Sequence, residues 1–218
     1  MRYFQLIDSL MQFYAEGEFA PEAIQAKNEF FDLAGIFDEQ SQNFDLKMAQ
    51  FTDWYIFLRK LSGYGRPPID HFVQTRPAKI SPEDEPYYVN LASNRYSLFE
   101  FLKIKKNDLY VRDMFSDYKL TIKNSPVTYG FVNEEYFQAR LIPHEDSFLF
   151  SSSFCFHPAE STKYILGEVK KIAKIPADQQ KEARETLLIK LFRMRYKYEQ
   201  YSHVGIQDIY SNESRLRI

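Results

Sequence analysis

The chain of 218 residues contains one cysteine, Cys155, one tryptophan, Trp54, and only seven glycines. A single cysteine forms no disulfide within the chain and no cysteine zinc site, and it suits a reducing compartment. The glycines are scattered, and Gly63-x-Gly65 runs into Pro67 and Pro68, so there is no glycine-rich phosphate loop. Ser151-Ser152-Ser153 lacks the Gly-x-Ser-x-Gly frame of a nucleophile elbow. No stretch approaches the roughly 18 consecutive apolar residues of a membrane span. The opening residues, Met1 to Asp8, are interrupted by Gln5 and Asp8 and do not form a signal-peptide core. The expectation is a soluble cytoplasmic protein without membrane insertion, metal or cofactor. A formal net charge of −2 implies little global attraction to nucleic acid or anionic lipid.

Aromatic rings are abundant. Phe (20) and Tyr (16) carry most of a 17% aromatic share, which predicts a ring-rich core. This length buries such a core without metal or disulfide staples. Charge is uneven: residues 1–95 hold 9 Lys/Arg against 14 Asp/Glu, residues 96–157 hold 7 against 8, and residues 158–218 hold 12 against 8. An acidic N-terminal arm and a basic C-terminal arm can simply attract one another.

Periodicity changes twice. Helical spacing runs through Phe4, Ile7, Leu10, Met11 and Tyr14, resumes after Pro21 and stops at Gly35. It is strongest in Phe44, Met48, Phe51, Tyr55, Leu58 and Leu61, with Trp54 and Phe57 widening the stripe. Short helices are expected over 69–75 and 85–94. Alternation then predicts strands over 98–104, 109–112, 118–123, 136–141 and 148–156, with a bulge or bend at the three serines. After Pro158 two helices follow, the second opened by Pro176 and reaching about Tyr201; Gly205 reads as a stop and the tail as loose. The fold class is α+β: helices over 1–95, a small five-stranded antiparallel barrel-like unit over 96–157, and a C-terminal helical hairpin over 158–218, integrated into one globular unit.

Several blocks occur in a familiar order: Phe51-Thr52-Asp53-Trp54-Tyr55-Ile56-Phe57, Gly65-Arg66-Pro67-Pro68-Ile69, Ile80-Ser81-Pro82-Glu83, Ser97-Leu98-Phe99-Glu100, Leu109 to Phe115, and Ala139-Arg140-Leu141-Ile142-Pro143. In this order residues 51–159 resemble poorly characterised bacterial proteins associated with the SEC-C motif, a cysteine-rich zinc-binding tail. The resemblance implies an architecture of helices around a small β-unit. It implies no metal site, because one cysteine does not make the zinc motif.

Candidate sites follow from the alternation. If Leu102, Leu109, Val111, Leu120, Ile122, Ala139 and Leu141 point inward, the opposite face carries Phe99, Phe101, Lys103, Tyr110, Arg112, Tyr136, Gln138 and Arg140. Rings interleaved with cations suit single-stranded nucleic acid. The competing reading, which we favour, is that the helical arms cover this face. A second candidate is the basic helical stripe Lys190, Arg193 and Lys197, either a contact for phosphates or an acidic partner, a solvated face, or a strip docked on Asp32, Asp38 or Glu39. His71, His144 and His157 lack metal-ligand spacing, Cys155 between two phenylalanines reads as a small core residue, and Glu134-Glu135 is an ordinary turn pair. The leading reading is a non-catalytic binding or adaptor protein with a protein partner. Its rivals are a single-strand nucleic-acid binder and a small enzyme with a cleft near His71, His144 and Arg140.

Overall fold

The computed structural model of the chain describes residues 2–34, 44–127, 131, 135–201 and 203–213. Gly35, Asp38, Glu39 and Glu134, named above, lie outside the described residues. The N-terminal helices are α1 (Arg2–Ala15), α2 (Ala20–Ala34), α3 (Phe44–Phe57), α4 (Pro68–Thr75) and α5 (Glu85–Ala92). Among the described residues six strands follow: β1 (Arg95–Lys105), β2 (Asp108–Asp113), β3 (Lys119–Ile122), β4 (Tyr136–His144), β5 (Ser147–Phe150) and β6 (Cys155–Phe156). The C-terminal helices are α6 (Thr162–Ile172), α7 (Ala177–Gln200) and α8 (Ile206–Ile209). The fold is α+β, and its sheet is antiparallel with order β3-β2-β1-β4-β5, β6 pairing with β4. The triple serine breaks the last predicted strand into β5 and β6, because the chain bends there.

Helix boundaries follow local chemistry. Pro68 and Pro86 occupy first turns, where the missing N–H leaves no hydrogen bond unmade. α3 stops at Phe57, short of the predicted Leu61, where Leu58 and Arg59 both donate to the Trp54 carbonyl. Gly205 is not a terminus but the residue before α8, whose Ile209, with Tyr210, enters an apolar cluster.

The chain divides into two compact units. The first comprises residues 1–32, 36–95 and 140–153, and the second residues 33–35, 96–139 and 154–218. The chain passes from the second to the first inside β4, between Ala139 and Arg140. In the first unit Tyr3, Leu6, Ile7, Leu10 and Tyr14 of α1 are buried, a stripe rotated slightly from the predicted one, which leaves Phe4 and Met11 half-buried.

The second unit has two apolar parts. Leu98 and Tyr136 of the sheet join Ile165 of α6 with Leu187, Leu191 and Met194 of α7. Elsewhere six phenylalanines pack together. Phe137 lies 5.9 Å from Phe99 and 5.4 Å from Phe156, Phe101 stacks on Phe131 at 5.2 Å, and Phe154 stacks on Phe156 at 5.7 Å. Phe137 is fully buried and Phe154 half-buried. We expect Phe137→Ala to cost about 3–5 kcal/mol and Phe154→Ala less than half of that. Equilibrium urea unfolding followed by near-ultraviolet circular dichroism measures both.

Candidate functional site

The predicted β-face divides at Leu102. Phe101 lies opposite Val111, but the next pair is Lys103 with Tyr110, so Leu102 is an extra, bulged residue. Directly paired residues share a face. Before the bulge, Phe99 and Phe101 share the buried face of Val111; after it, Lys103 joins Tyr110 and Arg112 on the other. This corrects the strict alternation: Phe99, Phe101 and Tyr136 are buried and present no ring for a base to stack on.

The outer face of β1–β3 is what remains at the surface. Register places Glu100, Lys103 and Lys105 on it from β1, Asp108, Tyr110 and Arg112 from β2, and Lys119 from β3. Arg112 is held by Glu100 at 3.3 Å and by Asp117 at 3.7 Å. Lys103 lies over the Tyr110 ring with its Nζ 5.1 Å from the centroid. Lys103, Lys105 and Lys119 are exposed.

β4 has buried residues on both faces from Tyr136 to Ile142. Its polar side chains reach remote partners. Arg140, 1% exposed, is held in the first unit. Its Nε donates to Asp53 at 3.0 and 2.9 Å and its Nη2 at 2.7 Å, its Nη1 reaches Asn94, and the guanidinium lies 4.4 Å from the Phe57 ring centroid. In the second unit Gln138 accepts from the Tyr96 hydroxyl at 2.5 Å and donates to the Leu188 carbonyl at 3.0 Å and to Nε2 of His157 at 3.2 Å. With both Gln138 protons used in this way, His157 Nε2 is an acceptor, so its Nδ1 carries the proton and donates to the Tyr210 hydroxyl at 3.0 Å.

Burial, with the charge of Arg195 second, pushes the His157 imidazole down to about 3. Burial pushes the Cys155 thiol up to about 12, which leaves it without thiolate at neutral pH. His71 is also pushed down, by burial and then by Arg66, and shares a 2.6 Å hydrogen bond with the Tyr14 hydroxyl. His144 packs edge-on against Tyr3 at 5.5 Å. The residues of the expected enzyme cleft therefore hold different partners: Tyr14 for His71, Tyr3 for His144, Asp53 for Arg140.

The basic helical stripe is likewise divided. Lys190 donates to Asn212, lies 4.0 Å from Glu168, and sits over the Tyr164 ring. Burial acts to raise the Glu168 carboxyl, but hydrogen bonds from Lys171 and Asn212, with the charges of Lys171 and Lys190, hold it below the usual range. Arg193 is exposed. Lys197 is half-buried and pushed down by that burial and by the Arg193 charge. Among the described residues, no group of three or more His, Cys, Asp or Glu could hold a metal ion, and no helix is long and apolar enough to cross a membrane.

Fold and surface together define an α+β protein whose sheet presents a lysine- and tyrosine-bearing outer face. The chain belongs to a family of unknown function (DUF7986), whose family model matches residues 3–216. No curated protein and no solved structure matches it.

Two predictions concern the buried networks. Arg140→Met leaves the Asp53 carboxylate buried without its cation and should cost about 3–5 kcal/mol, whereas Arg140→Met with Asp53→Leu should recover most of the loss. Urea unfolding followed by Trp54 fluorescence, which reports from α3 beside Asp53, measures the cycle. The second prediction is a pH dependence. His157 has a lowered pKa when folded, so between its unfolded value of about 6.5 and about 3 the unfolded chain binds the additional proton. Its stabilising contribution is complete above pH 6.5 and falls by up to about 1.4 kcal/mol per unit as pH drops through that interval. Hydrogen exchange of β4 amides at pH 7 and pH 5 should show this slope, and His157→Gln should flatten it.

Proposed function

We propose that this protein is a non-catalytic, cytoplasmic binding module or adaptor whose partner is a protein presenting an acidic segment to the outer face of β1–β3. The observation that carries the reading is the composition of that face: exposed Lys103, Lys105 and Lys119 beside the half-buried ring of Tyr110. Tyrosine supplies large contact area at low entropic cost and is enriched among the residues that dominate protein interfaces. Three lysines provide steering and register for carboxylates, each exposed pair contributing about 1 kcal/mol or less.

Nucleic acid is the weaker reading. With Phe99, Phe101 and Tyr136 buried, the stacking platform it needs is reduced, and three phosphate contacts give only a modest, salt-sensitive affinity. Kinship with SEC-C-associated proteins belongs to the same proposal, without zinc chemistry.

The test is affinity capture of the tagged chain from its native cell, with and without nuclease, beside a Lys103→Glu/Lys119→Glu variant. The expected outcome is a set of proteins that survives nuclease and falls about tenfold or more with the reversed charges. Partners released by nuclease would transfer the face to nucleic acid, and partners indifferent to both treatments would remove the face from the reading.

A further inference from the structure

The first unit contains a cleft of about 180 Å³ between α1, α3 and the bend after β5. Its polar lining is four hydroxyls, Thr52, Ser151, Ser152 and Ser153, and two carboxylates, Asp8 and Asp53. Phe4, Ile7, Ala49 and Phe57 supply the apolar lining, and no basic side chain lines it among the described residues. We propose that this cleft binds the ammonium end of a short-chain organic amine.

The hydroxyls point to a ligand. Ser153 is 8% exposed, yet its hydroxyl makes no hydrogen bond to the protein among the described residues. The residue is nine-tenths buried but its Oγ is open to the cleft, so the hydroxyl is satisfied by whatever enters the cleft. Thr52 also makes no side-chain hydrogen bond among the described residues, although a helical threonine commonly bonds back to the preceding turn. Ser151 Oγ accepts only a long contact from the Ser153 amide at 3.4 Å.

Charge selects the class. Arg140 already balances Asp53, so that carboxylate fixes one wall without adding net charge. Asp8 is exposed and has no ion-pair partner among the described residues, which leaves one uncompensated negative charge on the lining. An anion is repelled. A neutral alcohol can donate one hydrogen bond but gains no charge attraction from Asp8. An ammonium brings three donors and no acceptor, which matches oxygens with free lone pairs, and its alkyl chain covers Ile7, Ala49 and the rings. The volume holds a handful of waters, so the amine is small. This site is separate from the proposed protein-binding face, and its evidence does not depend on that reading.

The probe is n-butylammonium, titrated against the full chain labelled at Ile and Ala methyls, with n-butanol and butyrate as controls. Saturable shifts confined to the Ile7 and Ala49 methyls are expected with the ammonium at millimolar concentrations, and neither control should match them. Asp8→Asn and Ser153→Ala should each weaken binding about fivefold, the size of one exposed charge pair or one hydrogen bond. Both substitutions are small, and unchanged circular dichroism establishes that each variant is folded. The proposal is overturned if n-butylammonium gives no saturable shift, if butanol or butyrate binds as well, or if both folded variants bind like the parent.

Discussion

The ion pair between Arg140 and Asp53 is the interaction on which the first unit depends. A guanidinium has been taken out of water almost completely, and that is tolerable only with a carboxylate in bidentate geometry and further partners for its other protons. Asp53 lies 87 residues away in α3, so α3 must be placed against β4 for the strand to exist as it does. Asn94, just beyond α5, is recruited to the same guanidinium. One charge therefore locates a helix, a strand and a helix end together. Two residues earlier Gln138 imposes the same kind of requirement in the second unit, where β1, α7 and the residue after β6 each supply one of its hydrogen bonds.

Much of this architecture was legible in the amino-acid order, and the failures are instructive. The change of period near Tyr96 marks where β1 begins, and the prolines at 21, 68, 86 and 176 mark helix starts, because ring geometry acts locally. The alternation of 136–141 was equally visible. Its meaning was not: polar residues on alternate positions ordinarily face water, but here they face Asp53 and the Leu188 carbonyl. Those partners are remote in the chain, and a single sequence contains no local trace of them. The bulge at Leu102 escaped for a related reason. One unpaired residue reverses every subsequent side chain, yet Phe101-Leu102-Lys103 reads the same with or without it. α8 escaped because four residues are too few to establish a period.

Five of the eight residues of the expected aromatic and basic face proved to be buried, and the other three, Lys103, Tyr110 and Arg112, belong to the outer face of β1–β3. Within the helical stripe, Lys190 is tied into a local network of Glu168, Asn212 and Tyr164, while Arg193 stays at the surface. Charge in this chain is thus of two kinds: that which holds elements together, and that which stays at the surface. Only the second kind can carry recognition, and burial and pairing are what separate the two.

The same separation governs reactivity. Cys155 and His157 are held in states of low reactivity. Burial keeps the Cys155 thiol protonated, keeps the His157 imidazole neutral, and commits its two nitrogens to Gln138 and Tyr210. The polar side of β4 fixes register in return. A slip of one residue would turn Gln138 and Arg140 toward the positions of Phe137, Ala139 and Leu141, where each would lose its partners at a cost exceeding that of a misplaced methyl group. Apolar residues alone would tolerate such a slip more readily, since Phe, Ala and Leu differ in size but not in what they require of a neighbour. Buried polar chemistry in this protein therefore specifies structure, and the exposed lysines of the sheet and Asp8 of the cleft take no part in it.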